Sequence, residues 1–314
     1  MSARLYVKRP PSMSHYTRSA SHAGSWYDGN GIVLKRQLQS WVQEGSSSSS
    51  SSGVKSVIAP HAGYSFSGPT AGYGYQALMP LTAQVRRIFI LGPSHHKALS
   101  NCEVSGAGQL ETPLGDLTVD EEVRASLLSI KGGLFARMAC DVDETEHSIE
   151  MHLPYIRLVI ESAPDPSAVT VVPIMVGQLR EQGGHAQRTA AALLPYYKDT
   201  SSIFIISSDF CHWGRRFRYS PFDQDVCSEI FQYIELLDKR AIELILAQDR
   251  AGFLRYLEET SNTICGRFPI SLLLGILELG GIEHGSALTQ YRQSGQVRDA
   301  SDSSVSYASI VFRD

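Results

Sequence analysis

At 314 residues, with 43% apolar and 19% charged residues, the chain has the composition of an ordinary globular protein with one large or two smaller domains. Its net charge of −4 and the lack of a dense run of Lys and Arg give no electrostatic reason to expect nucleic acid as a partner. The longest apolar stretch, around residues 270–279, is too short for a membrane span, which needs roughly 20 residues.

Cysteine usage indicates a reducing compartment. The sequence has five cysteines, an odd number, at scattered positions and without a CxxC pair. This pattern argues against a disulfide framework, a zinc ribbon and a thioredoxin-type site. We therefore expect a cytoplasmic location, with the nucleus as a second one.

Two segments are predicted to lie outside the folded core. Residues 1–19 have no acidic residue and four basic ones, namely Arg4, Lys8, Arg9 and Arg18. This composition is faintly typical of a transit peptide, but the prolines at positions 10 and 11 disfavour the amphipathic helix that such a peptide needs. We expect a disordered basic tail there, a flexible loop at the all-serine residues 46–52, and one α/β domain over residues 20–314.

Three apolar runs of strand length end in residues that carry chemistry. Residues 56–59 lead into Pro60 and His61, and residues 87–91 lead into Gly-Pro and then His95 and His96. Residues 202–206 lead into Asp209 and His212. In open α/β sheets, ligands bind at the carboxyl ends of neighbouring strands. If the three strands are neighbours, His61, His95 and Asp209 converge on one crevice.

The remaining pattern alternates strands and helices, which predicts an α/β fold with a central, mostly parallel or mixed β-sheet flanked by helices. Apolar residues recur at helical spacing in residues 32–42, 120–129, 223–246, 251–259 and 270–279, whereas residues 169–176 and 304–312 are typical of strands. Residues 62–69 are rich in glycine. They are predicted either to form a turn into a helix at residues 71–78 or to let the backbone approach a ligand closely.

Two histidines and one carboxylate are the ligand set of non-haem Fe(II) sites, and His61, His95 and Asp209 supply that set. For any one histidine alone, a hydrogen-bonding role is an equally good interpretation. His212 follows Asp209 closely and is a candidate acid or base, although it could also be a fourth ligand or a structural histidine. His96 is expected to face away from His95 and to lie behind it in the pocket.

Two further residues are candidates to orient a ligand histidine. His147 and Glu150 share one face of a predicted helix, and metal-bound imidazoles usually donate their second N–H to such a partner. As isolated residues they are equally well explained as surface polar groups. Cys265, in a Cys-Gly-Arg-Phe-Pro turn, is on its own most simply a small buried apolar residue.

Several long motifs resemble the Memo family, named for a mediator of ErbB2-driven cell motility. They are Ser-His-Ala-Gly-Ser-Trp-Tyr (21–27), Ala-Pro-His-Ala-Gly-Tyr (59–64), Arg-Ile-Phe-Ile-Leu-Gly-Pro-Ser-His-His (87–96), Glu-His-Ser-Ile-Glu-Met-His-Leu-Pro-Tyr (146–155), Ser-Ser-Asp-Phe-Cys-His-Trp-Gly (207–214), Thr-Ile-Cys-Gly-Arg (263–267) and Asp-Ser-Ser-Val-Ser-Tyr-Ala (302–308). The match runs in order from about residue 19 to the C-terminus.

The resemblance implies a fold similar to the class III extradiol dioxygenases, and a cleft that binds iron or copper and, in the human relative, phosphotyrosine peptides. It places the family's metal ligands on His61, His95, Asp209 and Cys265. His212 falls where the dioxygenases keep a catalytic histidine. Family pocket residues fall on Trp26 and Phe66, the second of which is usually a tyrosine.

Cys265 also marks a departure from the dioxygenases, which use a glutamate ligand in its place. A soft thiolate favours Cu(I) or Zn over hard cations, so ring-cleaving activity does not carry over. Three hypotheses follow: a metal-dependent redox protein with Fe(II) or copper, a scaffold that binds a phosphopeptide in the inherited cleft, and a dioxygenase acting on an unknown substrate. The first two are compatible with each other.

Overall fold

The computed structural model describes residues 16–45 and 53–314, and these residues fold into a mixed β-sheet with helices on both faces. The helices are α1 (Gly31–Glu44), α2 (Tyr64–Gln76), α3 (Glu121–Ser129), α4 (Cys140–Thr145), α5 (His147–Glu150), α6 (Leu153–Glu161), α7 (His185–Lys198), α8 (Ile230–Leu246), α9 (Arg250–Thr260) and α10 (Arg267–Gly280). The strands are β1 (Thr17–Arg18), β2 (Val54–Ala59), β3 (Arg87–Pro93), β4 (Cys102–Val104), β5 (Gln109–Leu110), β6 (Leu117–Thr118), β7 (Phe135–Arg137), β8 (Thr170–Val176), β9 (Ser202–Ser207), β10 (His212–Trp213), β11 (Gly285–Gln293) and β12 (Ser304–Arg313). The predicted α/β class is confirmed.

Within the described residues the main sheet has nine strands, eight of them in the order β10-β12-β2-β9-β3-β8-β4-β7, and the ninth, β11, also pairs with β12. The four central strands β2, β9, β3 and β8 are mutually parallel, whereas the outer pairings of β12 with β2 and of β4 with β8 are antiparallel. Because the central strands are parallel, their carboxyl ends meet at one edge of the sheet. The short strands β1, β5 and β6 form a separate small sheet.

The core has two layers because successive residues of a buried strand point to opposite faces of the sheet. On β2, Val57 and Ala59 face a layer made with α1, α2 and α6, whereas Ile58 faces a layer made with α3 and α7–α10. A sheet covered on both faces requires continuous apolar strands rather than alternating ones. This requirement explains the unbroken apolar runs of the sequence.

The glycine-rich segment after His61 is helical from Tyr64 onwards, not from residue 71. Its glycines serve helix packing, because α1 lies against α2 at Trp41. A Cβ atom on Gly68 would lie 2.3 Å from the Trp41 ring, and one on Gly72 would lie 2.6 Å from the Trp41 carbonyl oxygen. Glycine at both positions therefore allows two helices to approach closely.

The prediction of a disordered tail over residues 1–19 falls mostly outside the described residues, and within them it does not hold for β1. Residues 1–15 and the serine tract 46–52 lie outside the described residues, but Thr17–Arg18 forms β1, which pairs with β5. Arg18 is fully buried, with its guanidinium bonded to Asp143 and Glu150. The sequence composition predicted that Arg18 belongs to the basic tail. Its ion pairs with two buried carboxylates instead place it in the core.

No helix in residues 16–45 or 53–314 has both the length and the apolar character that crossing a membrane requires.

Candidate metal centre

The parallel strands bring three predicted site residues to one place. In the order β2-β9-β3, His61 follows the end of β2, Asp209 follows β9 and His95 follows β3. All three therefore lie at the carboxyl edge of the sheet. The convergence predicted from the apolar runs is what the topology produces.

A compact set of donor atoms joins His61, His95 and Cys265, whose ligand-capable atoms all lie within 4.8 Å of one another, and a second such set joins His95, Glu146 and His147. Cys265 sits in the turn before α10, and its Sγ lies 3.1 Å from Nε2 of His61. The next residue, Gly266, packs against the chain at Ser208, where a Cβ would be 2.3 Å from the Ser208 Cβ. This close packing brings the cysteine against the segment after β9, where the backbone N–H of Asp209 lies 3.2 Å from its Sγ.

The ring of His61 is fixed in one tautomer. The Ser207 hydroxyl donates to the carbonyl of Ser148 at 2.7 Å, so it accepts the Nδ1–H of His61 at 2.6 Å. Nε2 then carries the lone pair and faces the Cys265 sulfur. Burial, followed by the neighbouring histidines, lowers the pKa of His61 well below its ordinary value, which keeps the ring neutral. A neutral imidazole with a free Nε2 is ready to ligate a metal.

His95 is held in the same way by Glu146. The backbone N–H of His95 donates to Oε2 of Glu146 at 2.6 Å, and its Nδ1 donates to Oε1 at 2.8 Å. Burial alone would raise the pKa of Glu146, but the hydrogen bonds that it accepts from His95 outweigh burial and lower that pKa to about 2. An ionised carboxylate only accepts hydrogen bonds, so Nδ1 carries the proton and Nε2 is left for the site.

Asp209 stands apart from the compact set. Its Oδ1 accepts the backbone N–H of His61 at 2.8 Å, and its oxygens do not come within 4.8 Å of all three ligand atoms of His61, His95 and Cys265. Burial raises its pKa to about 7 against the opposing backbone hydrogen bonds of His61 and Ala62. In this geometry the carboxyl group anchors the loop that carries His61, and it also lines the cavity.

The thiol of Cys265 shares this environment. Burial, with the Asp209 charge next in size, raises its pKa well above the ordinary value. A cysteine in such surroundings stays a thiol unless a cation stabilises the thiolate. The donor set therefore suits a metal that binds with release of a proton.

His212 lines the same cavity with a free Nε2. Its Nδ1 lies 2.8 Å from the carbonyl of Phe210 and 3.1 Å from that of Thr263, and carbonyls can only accept, so Nδ1 carries the proton. Burial lowers its pKa. His212 therefore presents a hydrogen-bond acceptor to the cavity and can take up a proton there.

A cavity of about 370 Å³ opens over these residues, and Trp26 and Phe66 line it. Trp26 is 37% exposed and Phe66 59% exposed, so both aromatic rings lie at its mouth. His96 is exposed and does not line this cavity, which corrects its predicted place in the pocket. Its ring lies edge-on to that of His147, with 6.1 Å between the centroids.

The predicted orienting pair needs correction as well. Glu150 does not hold a ligand histidine; its carboxylate accepts from Arg18, His22 and Tyr27. His147 lines the cavity with its ring stacked on His95 at 4.4 Å between centroids. The residues that hold the two ligand-type rings are Glu146 and Ser207. Sequence reasoning missed both, although Glu146 is part of the same acidic motif.

Fold and site together define an α/β protein with a histidine–cysteine cluster at the carboxyl edge of a mixed sheet. A family model described as "Memo-like protein" matches residues 18–311, and the chain belongs to this family. It is 45% identical to Protein MEMO1 of Danio rerio and 44% identical to Protein MEMO1 of Homo sapiens, each over 294 residues, 93% of this chain and 95% of the relative. Protein memo-1 homolog of Caenorhabditis elegans is 42% identical over 302 residues, 95% of this chain and 83% of the relative.

Proposed function

We propose that this cleft binds iron or copper through His61, His95 and Cys265 and that the protein has a metal-dependent redox role. The observation that carries the proposal is the compact set of two Nε2-presenting imidazoles and one thiol, all within 4.8 Å. A purely structural role would not require both histidine rings to adopt the same tautomer and to present Nε2 to one cysteine. Metal ligation does require this arrangement, because each histidine must keep a lone pair on Nε2 for the metal.

The donor set determines which metals fit. One thiolate and two imidazoles suit Cu(I), Fe(II) and Zn(II), and they suit hard cations such as Mg²⁺ poorly. Asp209 adds a hard oxygen donor at the edge of the set, which favours Fe(II) over Cu(I) if it joins the ligands. Zinc is the redox-inactive alternative.

Each neighbouring residue has a task in this proposal. A bound iron or copper ion would supply one-electron exchange. Glu146 and Ser207 keep the His95 and His61 rings in their ligating tautomers. His212 accepts or returns a proton through Nε2, and Trp26 and Phe66 limit the access of water at the mouth. We propose the cytoplasm, where cysteines stay reduced, as its location.

The test is elemental analysis of protein purified without chelator or nickel resin, followed by titration with Fe(II) and Cu(I) under anaerobic conditions. We expect close to one equivalent of metal in the parent protein and a loss of most of it in His61→Ala. The matched control is His96→Ala, which removes an exposed histidine outside the cavity and should leave the metal content unchanged. Equal metal content in both variants would refute the proposal.

A second candidate function is recognition of a phosphorylated peptide in a signalling or scaffold role, without catalysis. The observation that favours it is Arg216, which lines the cavity with its guanidinium 4.4 Å from the centroid of the Phe217 ring. No carboxylate among the described residues forms an ion pair with it. An arginine in this state beside exposed aromatic rings is a suitable partner for a phosphate group on an aromatic side chain.

This candidate is tested by titrating a fluorescent tyrosine peptide and its phosphorylated form. We expect the phosphorylated form to bind at least tenfold more tightly, and Arg216→Gln to remove that preference. The control is Arg240→Gln, an exposed arginine on α8 that pairs with Glu259 away from the cavity. Equal affinity of both peptide forms would exclude phosphate recognition.

A further inference from the structure

Three aromatic rings form a continuous path from the candidate metal centre to the protein surface. The ring of His95 stacks on that of His147, with 4.4 Å between the centroids and 25° between the planes. The ring of His147 lies in turn 4.5 Å from that of Trp26, tilted by 38°. Rings at these separations are in contact. Trp26 is 37% exposed, so the path ends in solvent.

His147 is the centre of this ring path, because it contacts both ligand-type histidines. Besides stacking on His95, it lies edge-on to His61, with 5.4 Å between the centroids and 78° between the planes. Electron transfer between two groups slows steeply with the distance between them, so a ring that contacts both ligands and the surface indole shortens each step. The path therefore connects the metal ligands to Trp26 without a gap.

Trp26 is the member of the path that gives up an electron most readily, because an indole ring is easier to oxidise than an imidazole. Since Trp26 is exposed, water can take up the N–H proton that the oxidised indole releases. The other two tryptophans of the chain are placed differently. Trp41 has its ring against Tyr64, and Trp213 is buried with its Nε1 donating to the carbonyl of Pro221 at 2.9 Å.

Tyr307 is the competing electron donor, because it lines the same cavity. A tyrosine gives up an electron readily only when its hydroxyl proton leaves as well. Tyr307 is 2% exposed, and burial, followed by the charge of Asp209, raises the pKa of its hydroxyl. Loss of that proton is therefore disfavoured, whereas the exposed indole of Trp26 meets no such obstacle.

We propose that Trp26 donates an electron to the metal centre through His147 when the centre meets a peroxide, a role that rests on the proposed redox function. Hydrogen peroxide takes up two electrons and two protons and gives two molecules of water. One electron comes from Fe(II) held at the site, which becomes Fe(III), and the other comes from Trp26. The oxidised indole releases its N–H proton to water and is left as a neutral radical.

The experiment loads the full chain with Fe(II) without oxygen, mixes it with one equivalent of hydrogen peroxide, and freezes samples for electron paramagnetic resonance. Ring-deuterated tryptophan in a parallel sample identifies the radical, and peptide mass spectrometry locates the oxidised residue. We expect a tryptophan radical and oxidation at Trp26, with Trp41 unmodified. Trp26→Phe should abolish the radical, and His147→Leu should lose most of it. Phe66→Leu, at the same cavity mouth, is the control and should leave it unchanged.

Elemental analysis of every sample separates this proposal from the one on which it rests. A parent protein that takes up no iron would overturn both, whereas iron uptake without a tryptophan radical would overturn only the role of Trp26. An undiminished radical in iron-loaded His147→Leu would mean that the oxidant reaches Trp26 through the cavity. His147→Gln replaces that variant if it loses iron, and loss of iron from both would make His147 a ligand instead of a relay. A radical on Tyr307 would also overturn the proposal.

Discussion

The carboxylate of Glu146 accepts two hydrogen bonds from His95, one from the backbone N–H at 2.6 Å and one from the ring Nδ1 at 2.8 Å. The two residues are 51 positions apart in the chain. The carboxylate also accepts the backbone N–H of Ser148 at 2.9 Å, so its own position is fixed. Such a partner fixes both the orientation and the tautomer of an imidazole. The geometry of His95 as a ligand therefore depends on Glu146, a residue that would not itself contact the metal.

The first prediction follows from this contact. Glu146→Gln replaces one acceptor oxygen by an NH₂ group, which cannot receive both N–H groups of His95. Loss of such a partner typically lowers metal affinity 10- to 100-fold. We expect a decrease of that size for Fe(II) and for Cu(I) in anaerobic competition titrations.

The control for this variant is Glu144→Gln, in the same acidic segment, whose carboxylate accepts from Ser19 instead of a site histidine. It should leave both affinities unchanged. A Glu146→Gln protein that melts at the parent temperature and binds both metals normally would show that Glu146 has no role in holding His95 for ligation.

Cys265 and Asp209 should differ in metal preference. Cys265→Ser removes the soft donor, so Cu(I) affinity should fall more than Fe(II) affinity. Asp209→Asn removes a hard oxygen, so Fe(II) should lose more than Cu(I). Both variants are compared by competition titration, with Cys227→Ser, a partly exposed cysteine outside the site, as the control. Unchanged Cu(I) affinity in Cys265→Ser would mean that the cysteine is not a ligand.

Arg18 should be a major contributor to stability. It is fully buried and pairs with the buried carboxylates of Asp143 and Glu150. Removing one partner of such a group leaves uncompensated charge, so Arg18→Met should lower the free energy of unfolding by about 3–5 kcal/mol. Urea unfolding measures this, and Arg36→Met, at an exposed position on α1, should change stability by less than about 0.5 kcal/mol.

A second substitution tests the cause of that effect. Glu150→Gln in the Arg18→Met background removes one of the unpaired charges and should recover part of the lost stability. If the double variant is no more stable than Arg18→Met, then lost packing and not lost charge explains the effect.

Asp238 should make stability depend on pH. It is fully buried between Cys211, Asn262 and Tyr291, and burial raises its pKa from 3.8 to about 6. The folded state therefore prefers the neutral carboxyl group. Its contribution to stability is complete below pH 4 and is lost as pH rises from about 4 to about 6.

The matching variant is Asp238→Asn, which stays neutral and can keep the hydrogen bonds. It should equal the parent in stability near pH 4 and exceed it at pH 7 by on the order of 3 kcal/mol, since one pKa unit corresponds to about 1.4 kcal/mol. The free energy of unfolding is measured from pH 4 to 8, with Asp225→Asn, an exposed aspartate, as the control. A constant difference between parent and Asp238→Asn over this range would refute the assignment.

Part of the site follows from the sequence alone. A strand buried on both faces has to be apolar along its whole length, so its end is visible where the polar residues begin. That is why the sequence alone predicts His61, His95 and Asp209 together at one edge of the sheet. The α/β class, several helix positions and the strands followed from the same periodicity.

Other features depend on contacts that no local pattern encodes. Glu146 and Glu150 lie on one motif, yet only the packing of α5 against β3 decides that the first meets His95 and the second meets Arg18. Cys265 lies 204 positions from His61, and only the family resemblance, not its spacing, pointed to it. The physical reason is that strand ends are set by local apolar periodicity, whereas side-chain partners far apart in the chain are set by how the layers pack on the sheet.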